Sequence, residues 1–80
     1  MKISELLSKI GLQLGLLNGR KEYRSLLKIY NNMTSGKDVL PNTRSLAQAM
    51  SKFVITTEKE SRIRSEMLSL LKLLENRLLE

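Results

Sequence analysis

The chain is predicted to be all-α, an antiparallel up-down bundle of four helices, on three observations. Apolar residues recur three and four apart in four separate stretches, the period of a helix face and not of a strand. Turn signals separate those stretches into short connections, which place successive helices side by side and antiparallel. The last stretch, Thr57 to Glu80, is too apolar along one stripe to stand alone in water, so the earlier segments must cover it. Eighty residues make one domain, 1–80, near the size at which a single core is marginal.

A first helix is expected over residues 4–17, with Ser4 as cap and Ile3, Leu6, Leu7, Ile10, Leu14 and Leu17 on one face. Gly11 and Gly15 each cost about 1 kcal/mol against Ala in a helix interior, and four apart they admit close approach of a neighbour. Lys2 ahead of leucines gives the start a faint look of a secretory signal. Glu5, Ser8, Lys9 and Gln13 interrupt any apolar core, however, and no small-residue cleavage site follows. Asn18-Gly19 marks a turn between helices. The second helix, 20–35, carries Tyr23, Leu26, Leu27, Tyr30 and Met33 as its stripe and ends at Gly36, placed for a left-handed C-cap. The two tyrosines are expected in the core with their hydroxyls at its edge.

Lys37 to Asn42 is expected to be a loop, because Pro41 fixes its own φ and disfavours helical geometry at Leu40. Asn42 or Thr43 then caps a third helix, 43–54, with Leu46, Ala49, Met50, Phe53 and Val54 inward. The β-branched run from Val54 to Thr57 breaks the chain before the fourth helix. That helix, 58–79, opens with a capping box, Thr57 and Glu60, and buries Ile63, Met67, Leu70, Leu71, Leu74 and Leu78.

Composition narrows the chemistry. There is no cysteine and no histidine, which removes disulfides, thiol nucleophiles, Ser-His triads and the usual zinc sites. The carboxylates form no acid/base pair at helical i,i+4 spacing. Asp38 lacks the alternating oxygen ligands of a calcium loop, and Gly36-Lys37 lacks the other elements of a phosphate loop. The expected protein is therefore not an enzyme and uses no cofactor or metal. No run approaches the roughly 18 apolar residues of a membrane span. The net charge of +6 favours partners with negative surfaces: nucleic acid, acidic protein faces or anionic lipid.

The candidate contact residues lie on the fourth helix. Lys59, Arg62, Lys72 and Arg77 fall outside the apolar stripe and Arg64 borders it. They either solvate the outer face, with Glu58–Arg62 as a local pair, or dock a partner. Leu68, Leu73 and Leu79 widen the apolar arc, as a contact site or homodimer seam would; burial by the bundle is the rival reading. A weaker pattern, Ser45 to Met50 followed by Arg62 and Arg64, echoes the first helix of a helix-turn-helix, although no glycine turn follows it. It supports an alternative function: a small basic nucleic-acid-binding regulator, dimeric through the C-terminal helix.

The stretch LLKIYNNMTSGKDVLPNTRSLAQAMSKFV, Leu26 to Val54, resembles the central part of the enterocin A-type (pediocin-like, class IIa) bacteriocin immunity proteins. In that family a Lys-x-Tyr helix ends in Gly-Lys, a short loop leads to a helix of the Arg-Leu-Ala-x-x-Leu type, and a charged, leucine-bearing fourth helix follows. Here these elements resemble Leu26 to Gly36, Lys37 to Asn42, Arg44 to Phe53, and Glu58 to Leu79. With that last element the resemblance covers about two thirds of the chain. It departs from the family in a short first helix, no tail after the fourth and few core aromatics. The resemblance implies a four-helix bundle in the cytoplasm, peripheral at the inner face of the membrane, that protects a bacteriocin producer without catalysis. Its partner would be a membrane permease of the mannose phosphotransferase type with bacteriocin bound. The family's specificity is attributed to the C-terminal half, so the implied contact residues are Lys59, Arg62, Arg64, Leu68, Lys72, Leu73 and Arg77.

Overall fold

The computed structural model describes residues 1–80 as four helices and no strands: α1 (Ile3–Gly15), α2 (Tyr23–Thr34), α3 (Val39–Lys52) and α4 (Glu58–Leu79). Each helix packs on two others in the cyclic order α1–α2–α3–α4, while the backbones of the diagonal pairs α1–α3 and α2–α4 stay apart. Fourteen apolar residues and Thr43 form the buried core. At roughly 1.5 Å per residue, the 22 residues of α4 run nearly the full 35 Å of the longest axis. Its stripe Ile63, Met67, Leu70, Leu71 and Leu74 is buried, with Leu78 packed half-buried against it.

The capping box opens α4 with one change. Thr57 Oγ1 accepts the Glu60 N–H at 3.1 Å. Glu60 Oε1 accepts not from the cap but from Thr56, from its N–H at 2.9 Å and its hydroxyl at 2.8 Å. The same oxygen takes Arg20 Nη1 at 2.7 Å. Arg20 also donates to the Val54 carbonyl at 3.1 Å, pairs with Glu22 at 3.1 Å and lies 4.5 Å from the centre of the Phe53 ring. One guanidinium thus ties the α1–α2 connection to the α3–α4 connection. Hydrogen bonds from the Thr56 N–H and hydroxyl, and then from Arg20, hold the Glu60 carboxyl below the ordinary range.

The α2 terminus is a Schellman cap: Gly36 at φ 80° sends its N–H to Met33 O, and Lys37 N–H reaches back to Asn32 O. The α1–α2 connection is longer than expected, because α1 stops at Gly15 and α2 starts at Tyr23. Tight i→i+3 bonds, such as Leu17 N–H to Leu14 O and Arg20 N–H to Leu17 O, carry the chain between them and still bury Leu17. Ile3 is already helical, and no side chain caps α1.

The expected loop at Lys37 to Asn42 is corrected: α3 starts at Val39 and takes in Leu40, Pro41 and Asn42. Pro41 is its third residue, where the N–H has no partner inside the helix and its loss costs nothing. Neither Asn42 nor Thr43 caps α3. Asn42 donates to the carbonyls of Lys37 and Asp38, and buried Thr43 donates to Val39 O at 2.7 Å, four residues back. Asp38 enters the helix in a left-handed conformation, φ 46°. At the other end α3 stops at Lys52; Phe53 is buried but extended, and Val54, expected inside, is 65% exposed.

Gly11, inside α1, meets Tyr30 of α2. The Tyr30 hydroxyl donates to the Leu7 carbonyl at 2.7 Å; a Cβ on Gly11 would lie 2.8 Å from Tyr30 Cζ and closer still to its oxygen. Gly15 faces open space. Gly11→Ala should therefore lower stability by about 1–2 kcal/mol, overpacking outweighing helix propensity, while Gly15→Ala is neutral or gains up to about 1 kcal/mol. Urea unfolding of the two variants checks this; equal effects would contradict the contact.

Candidate functional site

The seven candidate residues of α4 do not form one surface. At 3.6 residues per turn, Arg64, Leu68 and Lys72 flank the buried stripe on the side of α3. Lys59, Arg62, Leu73 and Arg77 flank it on the side of α1.

On the α3 side, a cleft of about 280 Å³ is floored by Thr43, Ala47, Leu68 and Leu71 and rimmed by Arg44, Lys72 and Glu75. Leu68, part of the widened arc, is half-buried in it. Arg44 Nε donates to Glu75 Oε2 at 2.7 Å across the two helices, and Lys72 Nζ lies 3.7 Å from Glu75 Oε1. These two cations, Arg44 first, hold the Glu75 carboxyl below its ordinary range. Glu75 therefore stays charged at neutral pH and leaves the more exposed Lys72 ammonium facing outward at the rim. Arg64 is occupied: it donates to the Phe53 carbonyl at 3.1 Å, closing the turn between α3 and α4.

On the α1 side, Lys59 and Arg62 border a shallower depression of about 550 Å³ with Gln13, Leu16, Ile63 and Glu66. The expected Glu58–Arg62 pair is present at 3.8 Å, between two largely exposed side chains, where such pairs stabilise little. Arg77 pairs with Glu80 at 2.8 Å. Leu73 is 48% exposed and Leu79 58% exposed. The apolar arc thus divides: Leu68 packs against the core, while Leu73 and Leu79 face solvent.

Four residues near the candidate surfaces lay outside the sequence reading. Arg44 and Glu75, thirty-one residues apart, meet only through the packing of α3 on α4. Leu12 and Leu16 of α1 are exposed at 74% and 52%. Their positions off the α1 stripe signalled this, since Leu6, Ile10 and Leu14 already fill the inner face. No cluster of three or more metal-ligating side chains exists in the structure, and no helix is long and apolar enough to cross a membrane.

The chain matches no family model, and no curated protein or solved structure matches it.

Burial separates the leucines of α4 into two kinds. Leu74→Ala, at a fully buried position, should cost about 2–5 kcal/mol. Leu73→Ala, half-exposed, should stay within about 0.5 kcal/mol of the parent. Equal large losses in urea unfolding would place Leu73 in the core and remove it from any contact surface.

Proposed function

We propose that the chain is an immunity protein of the enterocin A type, an antiparallel up-down four-helix bundle that protects its cell by binding and not by catalysis. Its site of action is the inner face of the membrane, at a mannose phosphotransferase permease holding a pediocin-like bacteriocin. Three cross-helix contacts support the antiparallel order. Tyr30 late in α2 meets Leu7 early in α1. Arg44 early in α3 meets Glu75 late in α4. Arg64 early in α4 meets Phe53 just after α3.

The observation that carries the proposal is the α3–α4 cleft. It lies in the half of the chain to which the resemblance assigns specificity. It offers an apolar floor of Ala47, Leu68 and Leu71, and its rim carries Lys72 beside the Arg44–Glu75 pair. Such a cleft accepts an apolar side chain of a partner segment while the rim cations meet acidic or carbonyl groups beside it. Its polar lining is engaged within the bundle, Thr43 with Val39 O and Glu75 with Arg44 and Lys72, an arrangement that suits recognition. On this reading Leu68 and Lys72 are contact residues, Arg64 positions the α3–α4 turn, and Lys59, Arg62, Leu73 and Arg77 form a separate flank.

The alternative of a dimeric nucleic-acid-binding regulator draws less support from α4, whose segment 58–80 carries five carboxylates against its five cations. The test is protection. The chain, expressed in a sensitive lactic acid bacterium and challenged with a panel of pediocin-like bacteriocins, should confer survival against a subset. The Leu68→Gln, Lys72→Glu double variant should lose that protection while remaining folded and abundant. Sensitivity to the entire panel, with soluble parent protein confirmed, would reject the immunity function.

A further inference from the structure

The net charge of +6 is unevenly placed. From residue 58 onward cations and carboxylates balance, but between Tyr23 and Thr57 the lone carboxylate is Asp38. Arg44, one of the five cations in that stretch, is spent on Glu75. The remaining four, Arg24, Lys28, Lys37 and Lys52, and Lys21 just before α2, are exposed and enter no ion pair.

Three of these lie on the outward faces of α2 and α3, and the other two sit at the two ends of α2. Arg24 and Lys28 are one turn apart on α2, opposite the buried Leu26 and Met33. Lys52 lies on α3 opposite the buried Leu46 and Met50. Lys21 precedes α2, and Lys37 sits in the connection between the two helices. Because α2 packs along α3, the cations are distributed over a two-helix face, and none of the large exposed apolar residues lies on either helix.

We propose that the α2–α3 face docks on an anionic phospholipid leaflet. Charge complementarity argues for it: five unpaired, exposed cations near which the carboxylates are Asp38 and Glu22, the latter already paired with Arg20, are what a negative surface potential attracts. The form of the face selects lipid over nucleic acid. Two helices side by side present a broad surface, whereas duplex readout needs an element that enters a groove. Single-stranded nucleic acid needs exposed aromatic platforms, and here Tyr23 and Tyr30 are half-buried and Phe53 is buried. With no apolar wedge on the face, adsorption stays at headgroup level and is reversed by salt. The docking rests on charge placement alone and does not require the immunity reading; vesicles test it separately from cell survival.

The experiment is co-sedimentation of the full chain with phosphatidylglycerol-containing vesicles and with pure phosphatidylcholine vesicles. Binding is expected only to the former, at about 50 mM salt, with release as screening rises. Lys21→Gln, Arg24→Gln, Lys28→Gln should weaken it on the order of 100-fold, about fivefold per cation. Lys59→Gln, Arg62→Gln, Arg77→Gln removes equal charge from α4 and should weaken it less than about tenfold. Helical circular dichroism confirms that both triple variants fold. No binding to the anionic vesicles, equal weakening by the two triples, or tighter binding to duplex DNA than to vesicles would each overturn the proposal.

Discussion

Burial of one face of α4 is the constraint on which the rest of the structure depends. Five fully or nearly buried side chains from Ile63 to Leu74 project from a helix as long as the molecule, and of the other helices α1 and α3 bring their backbones alongside it. Leu6, Ile10 and Leu14 come to it from α1, and Leu46 and Met50 from α3. The α2 backbone stays away from α4 and completes the ring by packing on the other two. In a chain this short, with 15 of 80 residues buried, no second core can compensate for the loss of that face.

The clasp at one end follows from the same need. Cyclic packing leaves two connections, α1–α2 and α3–α4, to be held together, and Arg20 bridges them through Glu60, the Val54 carbonyl and the Phe53 ring. With its inner face committed and its cations matched by carboxylates, α4 has little net charge to offer a partner. What it offers is shape, the cleft shared with α3. The surplus charge is displaced to α2 and α3. The proposed cleft and the proposed docking face thus fall on different sides of one bundle.

The four-helix class, the α4 stripe, its cap at Thr57 and the stop at Gly36 were legible because each depends on residues within a turn or two of one another. Pro41 was misread for a physical reason: a proline that would break a helix interior is harmless in a first turn, and sequence alone did not say which of the two it occupied. Val54 continued an apolar run, but the chain turned extended at Phe53 and left it in solvent. On α4, Lys59, Arg62, Lys72 and Arg77 fall outside the stripe, Arg64 borders it and Leu68 and Leu73 widen it, patterns that do not tell one flank from the other. The packing of α1 and α3 separates them. The close approach at Gly11 was legible from the glycine, but its partner Tyr30, like the contacts of Arg20, is long-range and has no local signature.

Amide hydrogen exchange under native conditions tests the primacy of α4 most directly. The slowest amides should lie from Ile63 to Leu74, joined by those of α1 and α3 that pack on them, with α2 exchanging faster. Fast exchange along α4 while α2 and α3 stay protected would make α4 an appended helix, not the one around which the others fold.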